Sequence, residues 1–135
     1  MTSLIAVVAI DARDPGRVAE FWAAALGWEA WPDPDGGGVT LAPPGSTDQS
    51  GAAGPSIDVV PVPEGKSVKN RLHFDLRAHG TTQAEEVERL LTLGATRVDI
   101  GQKADVSWVV LADPEGNEFC VLQRSVQEAE ASAPS

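Results

Sequence analysis

Apolar and polar residues alternate along the chain in two rhythms, which predict β-strands and α-helices. Leu4 to Asp11 is an apolar run of strand length, and we interpret it as a buried strand. Apolar residues then recur at helical spacing after Asp14 and Pro15, which suit the N-cap and the first turn of a helix. Gly27 follows and predicts a left-handed helix end. The chain therefore begins with a strand and an amphipathic helix.

Three short apolar segments follow the first helix and predict three strands. They span Trp28 to Trp31, Gly38 to Ala42 and Ile57 to Val62. Asp33 to Gly38, between the first two, is a turn sequence that lacks the Lys-Ser/Thr pair of a phosphate-binding loop. Pro61 cannot donate to a β-ladder, so its strand is predicted to lie at an edge or to end early.

The second half of the chain repeats this order. Asn70 to Ala78 alternates polar and apolar residues at the period of a strand. The polar residues on one face are Arg71, His73, Asp75 and Arg77. Thr82 to Glu85 has the form of a capping box, an apolar helical stripe follows it, and Gly94 predicts the end of this second helix.

The last part of the repeat gives the clearest local prediction. Thr96 to Ile100 predicts one strand, and Ser107 to Leu122 predicts two strands joined by a turn. That turn, Asp113 to Asn117, combines Pro, Gly, Asp and Asn, the residues that tight turns favour. We therefore expect a β-hairpin at 107–122.

The repeat predicts the fold. Two βαβββ modules, at 4–62 and 70–124, would form a single α+β domain over 1–126, with a concave mixed β-sheet and the helices on its outer face. The remaining residues, 127–135, are mostly Ala, Ser, Glu and Pro and predict a flexible tail.

Charge and cysteine content narrow the classes of partner and compartment. The 20 acidic and 10 basic residues give a formal net charge of −10, which argues against nucleic acid and an anionic membrane surface as partners. Leu4 to Ile10 is too short to span a bilayer and lacks the flanks of a secretory signal. Cys120 is the single cysteine, so no disulfide forms within the chain, and a cytoplasmic location is expected.

Three segments of the repeat resemble a known superfamily. They read DPGRVAEFWAAALGW in the first module, and KNRLHFDLRA and WVVLADPEGNEFCVL in the second. They are similar to the vicinal oxygen chelate superfamily, which includes glyoxalase I, extradiol dioxygenases and the bleomycin and fosfomycin resistance proteins. Within it, the chain resembles the small bacterial glyoxalase-like domain proteins. The resemblance implies a small-molecule ligand in the concave sheet cavity, and a homodimer.

The resemblance also implies where a metal would bind. Metal-dependent members hold a divalent ion (Zn, Mn, Fe or Ni) with ligands from the first and last strands of each module. His73 matches the His in the first strand of the second module. Its counterpart in the first module is Val7 if the helix entries are aligned, or Ala9 if the Ile-Asp and Phe-Asp pairs are aligned. Neither side chain binds metals.

The last strands depart from the same pattern. Cys120 stands where the superfamily usually has Glu, and Glu118 lies two residues earlier on the same face of a regular strand. In the last strand of the first module, Asp58 and Val60 share a face, and only Asp58 could coordinate a metal. The expected set of four metal ligands is therefore incomplete, although His and a thiolate would suit zinc if Asp58 or Glu118 joined them.

Each polar candidate has a structural and a functional interpretation. His73, on the same face as Asp75, is a metal ligand or general base, or a histidine satisfied by polar neighbours. Cys120 is a small buried residue, or a thiolate if a cation lies beside it. Glu118 is a catalytic acid/base or metal ligand, or a solvated carboxylate. Arg71 binds an anionic group or pairs with a carboxylate.

Tryptophan supplies the candidate apolar contacts, since the chain has four Trp and no Tyr. Trp22 lies on the apolar face of the first helix and is predicted to be in the core. Trp28, Trp31 and Trp108 are candidates for the wall of a ligand cavity, where large aromatic surfaces contact planar compounds.

Two functions follow from these residues and remain open at this point. The first is a small-molecule-binding protein without catalysis, which the apolar residue at the first ligand position, the Trp content and the acidity favour. The second is a metal-dependent glyoxalase- or dioxygenase-type enzyme that uses His73 and Glu118 on a small oxygenated metabolite.

Overall fold

The structure, a computed structural model, describes residues 1–46, 54–99 and 106–132. It divides into two units, Met1–Lys66 and Ser67–Ser135. Each unit contains a four-stranded sheet, and the boundary falls in the connector between the two predicted repeats. The predicted α+β fold of two βαβββ modules is confirmed.

The first unit forms one mixed sheet and one long helix. Its elements are β1 (Val7–Ala12), α1 (Pro15–Leu26), β2 (Glu29–Pro32), β3 (Val39–Ala42) and β4 (Ser56–Pro61). The strand order is β1-β4-β3-β2, with β1 parallel to β4 and the other neighbours antiparallel. β4 is thus an inner strand. Pro61 is its last residue and lies beyond the pairing with β3, so the strand ends early, as Pro requires.

The second unit repeats the topology. Its elements are β5 (Asp75–Leu76), α2 (Gln83–Leu93), β6 (Thr96–Arg97), β7 (Val109–Ala112), β8 (Glu118–Val121) and α3 (Val126–Ala131). The strand order is β5-β8-β7-β6, and only the β5–β8 pair is parallel. The hairpin predicted at 107–122 is confirmed as β7 and β8.

The helix ends use the predicted capping residues. The Asp14 carboxylate accepts a hydrogen bond from the backbone N–H of Arg17, and Gly27 adopts the left-handed conformation with φ of 69°. The Thr82 hydroxyl accepts from the N–H of Glu85, but the Glu85 side chain accepts from the Thr81 hydroxyl instead of closing the predicted capping box. Asp14 and Thr82 each satisfy an N–H that the first helical turn would leave unpaired.

Large apolar side chains of each sheet are fully buried on one face. Trp22, 1% exposed, packs edge-to-face against Phe21 in α1 with ring centroids 5.1 Å apart, which confirms its predicted core position. In the first unit, the strand residues Leu41 and Val59 are fully buried, and their side chains share one face of the sheet. In the second unit the same holds for Leu111, Phe119 and Val121. The intervening strand residues therefore point to the opposite face of each sheet, which we call the polar face.

Two predicted strands differ from those observed. The first strand begins at Val7, and Leu4 and Ile5 are exposed. The strand predicted at Asn70 to Ala78 is reduced to β5, with Leu72 88% exposed, since β8 pairs with only two of its residues. α3 overlaps the first residues of the predicted tail, and a reciprocal capping box of Ser125 and Glu128 forms its start. Ile100 and residues 133–135 lie outside the described residues.

Candidate functional site

Strand pairing aligns the two repeats residue by residue. Glu29 and Thr96, each two residues after a helix-ending glycine, pair with Ala42 and Ala112 respectively. Leu41-Ala42 and Leu111-Ala112 therefore correspond, and the next pairings make Asp58 the counterpart of Cys120.

The same alignment identifies the counterpart of His73. Ala9 pairs with Asp58 just as Asp75 pairs with Cys120, so Ala9 corresponds to Asp75. Two residues earlier, Val7 corresponds to His73. Of the two alignments that the sequence left open, the structure supports the one through the helix entry. The first unit thus has two apolar residues where the second has an imidazole and a carboxylate.

His73, Asp75 and Cys120 come together on the polar face of the second sheet. The Nδ1 atom of His73 lies 3.1 Å from an Asp75 carboxylate oxygen. Asp75 in β5 pairs directly with Cys120 in β8. One potential ligand atom from each of the three residues lies within 4.8 Å of the others. All three residues are candidate site residues from the sequence alone. Only the structure shows that Asp75 lies beside both His73 and Cys120.

The Cys120 thiol is held in its protonated form. The residue is 6% exposed, and burial raises the pKa of the thiol. The negative charge of Asp75 and a hydrogen bond to its carboxylate raise this pKa further, against an opposing effect of Lys69. At neutral pH the thiol therefore donates to Asp75, and the arrangement does not favour a nucleophilic thiolate.

The reactivity of Cys120 tests this electrostatic picture. We expect Asp75→Asn to lower the pKa of the thiol, because it removes a negative charge and a charged acceptor. The pH midpoint of iodoacetamide alkylation, followed by mass spectrometry, should fall in the variant. Asp35→Asn, an exposed substitution in the first unit, serves as the control. Equal midpoints for Asp75→Asn and the unmodified chain would contradict the role given to Asp75.

Glu118 supports the segment that leads to His73. The residue is buried on β8, and one carboxylate oxygen accepts from the backbone N–H of Asn70 at 3.4 Å. The Asn70 side chain donates to Oδ1 of Asn117 at 2.8 Å. Two contacts from the hairpin therefore fix the chain three residues before His73. Glu118 is not the solvated carboxylate that one interpretation of the sequence allowed.

The turn between β7 and β8 is organised by Asp113. This residue is 2% exposed, and Oδ1 accepts from the backbone N–H groups of Glu115 and Asn117 at 2.9 and 3.0 Å. The Asn117 side chain donates to the same carboxylate. Gly116 supplies the positive φ, 90°, that the turn needs. The sequence indicates only that Asp113 and Asn117 are turn residues. It does not indicate that this turn also binds Asn70.

The first unit contributes a sparser polar face. Asp58 is partly buried and accepts from the Thr40 hydroxyl at 2.9 Å. Trp31 is 39% exposed, whereas Trp28 is partly buried. The structure brings Asp58 together with Thr40, and the sequence of the first unit contains no histidine or cysteine that could join them.

The remaining candidates of the second unit are accessible. Trp108, immediately before β7, is 41% exposed. Arg71 and His79 are exposed as well. Trp108 and Arg71 stay candidates for ligand contact, since nothing in their surroundings buries them.

A family model identifies the family of the chain. The sequence model of a family described as glyoxalase-like domain matches residues 7–122. Among curated proteins, no sequence matches the chain.

No helix among the described residues is long and apolar enough to cross a membrane.

Several solved structures share the fold at low sequence identity. A glyoxalase/bleomycin resistance protein/dioxygenase family enzyme from Burkholderia phytofirmans is 20% identical, with a TM-score of 0.60 over 88% of this chain and 97% of that chain. An antibiotic binding protein from Streptomyces is 17% identical, with a TM-score of 0.55 over 92% and 98%. The fosfomycin resistance protein FosX from Listeria monocytogenes, complexed with Mn(II) and 1S,2S-dihydroxypropylphosphonic acid, is 12% identical, with a TM-score of 0.64 over 95% of both chains.

Proposed function

Since the chain belongs to the glyoxalase-like domain family of the vicinal oxygen chelate superfamily, we propose that it is a small-molecule-binding protein without catalysis. One observation carries this proposal. Val7 and Ala9 occupy the positions that His73 and Asp75 occupy in the second repeat. The first strand of the first unit therefore supplies no metal ligand, and the ligand set expected from both modules is incomplete.

The polar face of the second unit offers the chemistry for binding. Asp75 presents a half-exposed carboxylate, with 48% of its side chain accessible, and Trp108 presents an exposed indole. A carboxylate and an aromatic surface together suit a flat aromatic cation, through charge attraction and stacking. The net charge of −10 favours the approach of such a ligand. We propose that a ligand of this class binds there. The similar fold of an antibiotic binding protein from Streptomyces supports a small organic molecule as the ligand.

Tryptophan fluorescence tests the proposal. A panel of flat aromatic cations (acriflavine, ethidium and berberine) is titrated into chelator-treated protein, and at least one is expected to quench the fluorescence saturably. Trp108→Phe should remove most of the quenching. Asp75→Asn should raise the dissociation constant about fivefold, because a partly exposed ion pair contributes up to about 1 kcal/mol of binding free energy.

Asp35→Asn provides the matched control, because it removes an exposed carboxylate from a turn of the first unit. Its affinity should equal that of the unmodified chain. Absence of quenching by every member of the panel would overturn the proposal, as would equal effects of Asp75→Asn and Asp35→Asn.

A metal-dependent enzyme remains the second candidate, and the grouping of His73, Asp75 and Cys120 favours it. In this alternative a bound divalent ion would act as a Lewis acid on a small oxygenated metabolite. His73 would hold the ion, and Glu118 would serve as acid/base or ligand. Turnover of 2-oxoaldehyde hemithioacetals or catechols that is lost in His73→Gln would support the enzyme over the binding protein.

A further inference from the structure

We infer that His73, Asp75 and Cys120 form a zinc site contained entirely within the second unit. The inference goes beyond the proposed function, because it needs neither an organic ligand nor any residue of the first unit. It also differs from the metal-ligand set that the sequence resemblance implies, since Asp75 is the third ligand and all three ligands come from one unit.

The donor atoms of the three residues are near enough to one another to reach a common metal ion. Zinc bonds of about 2.0–2.3 Å separate neighbouring donor atoms by roughly 3.3–3.8 Å. The donor atoms here lie within 4.8 Å of one another, and His73 and Asp75 already approach to 3.1 Å. Their side chains are 41% and 48% exposed, so both can rotate towards Cys120 at little packing cost.

The chemistry of the donors selects the ion. The three donors are a thiolate, an imidazole and one carboxylate oxygen. Zinc binds such a mixed set of ligands, whereas Mg²⁺ and Mn²⁺ prefer oxygen ligands. Among the described residues no fourth His, Cys, Asp or Glu joins the group. Glu118, on the same strand face as Cys120, instead accepts from the N–H of Asn70. Three protein ligands leave one position open to water or to an added ligand, as in catalytic rather than structural zinc sites.

Binding exchanges one proton for the metal. The Cys120 thiol gives up its proton to solvent, a Zn–S bond forms, and the Asp75 carboxylate changes from acceptor of that thiol to metal ligand. No oxidant or reductant is needed. Because zinc and an aromatic cation both use the Asp75 carboxylate, they should compete for the polar face of the second unit.

Cobalt is the spectroscopic probe for this site. Chelator-treated full-length protein is titrated with Co²⁺ in the absence of any organic ligand. The expected result is one equivalent of bound Co²⁺ with intense visible bands of tetrahedral geometry and a thiolate-to-cobalt charge-transfer band, both displaced by one equivalent of Zn²⁺. Cys120→Ser should abolish the charge-transfer band. His73→Gln should weaken Zn²⁺ binding by at least about tenfold.

His79→Gln is the matched control, because it removes the other histidine, which is also exposed. It should leave the spectrum and the affinity unchanged. Since His73 is exposed, His73→Gln keeps the test decisive even if Cys120→Ser does not fold. A spectrum without a charge-transfer band, or equal Zn²⁺ affinity in His73→Gln and His79→Gln, would overturn the inference.

The outcomes separate the two proposals. Cobalt bands without quenching by the aromatic cations would retain the zinc site and reject the proposed function. Quenching in chelator-treated protein, together with an absence of cobalt bands, would retain the proposed function and reject the zinc site.

Discussion

Replacement of Asp113 by alanine is expected to lower the free energy of unfolding by about 3 kcal/mol. The substitution removes a buried charged acceptor and leaves the donors that bond to it unpaired. The carboxylate is 2% exposed and accepts from the N–H groups of Glu115 and Asn117 and from the Asn117 side chain. Urea denaturation followed by circular dichroism measures the change.

A matched substitution exists in the first unit. Asp33 also begins a Gly-containing turn and accepts from the N–H of Asp35 at 2.9 Å, but it is exposed. Asp33→Ala should cost only about 0.5–1 kcal/mol, since water replaces the lost acceptor. If both substitutions had the same small effect, the Asp113 network would not be what holds the β7–β8 turn.

Glu118→Ala is expected to lower the free energy of unfolding by about 1–2 kcal/mol and to weaken ligand binding on the polar face of the second unit. The buried carboxylate accepts from the N–H of Asn70, and its removal frees the chain three residues before His73. Glu118→Gln keeps an acceptor oxygen and should retain both stability and binding. Urea denaturation and the fluorescence titration measure the two effects.

The glutamine variant distinguishes the two roles considered for Glu118. A supporting residue needs only an acceptor, whereas a general acid/base or metal ligand needs the ionisable carboxylate. Loss of binding or of Co²⁺ coordination in a Glu118→Gln protein of normal stability would therefore contradict the supporting role and favour the enzyme.

Much of the fold was predictable because its signals are local. Asp14 and Gly27 bound the first helix, and the turn chemistry of 113–117 specifies a hairpin. The limits of the edge strand β5 were not predictable. Its alternating sequence would suit a longer strand, but pairing with β8 covers only Asp75 and Leu76. The helix α3 was not predicted, because the composition of 127–135 is typical of disorder, whereas the capping box of Ser125 and Glu128 favours a helix start.

The candidate site was predictable in its residue types but not in its arrangement. His73 and Cys120 stood out because few side chains in this acidic chain can bind a soft metal or act near neutral pH. The link through Asp75 required the β5–β8 register, which joins residues 45 positions apart. The contact of Asn70 with Glu118 and Asn117 carries no local sequence signal, because it connects a loop to a distant hairpin.

By itself, the sequence determined the superfamily, the two repeats and the absence of a metal-binding side chain at Val7 and Ala9, since these depend on residue identity and local pattern. Only the tertiary structure decided that Val7 is the counterpart of His73, that Glu118 supports Asn70, and that Asp75 holds the Cys120 thiol. The physical reason is that register and hydrogen bonding between strands distant in sequence are set by the packing of the whole sheet.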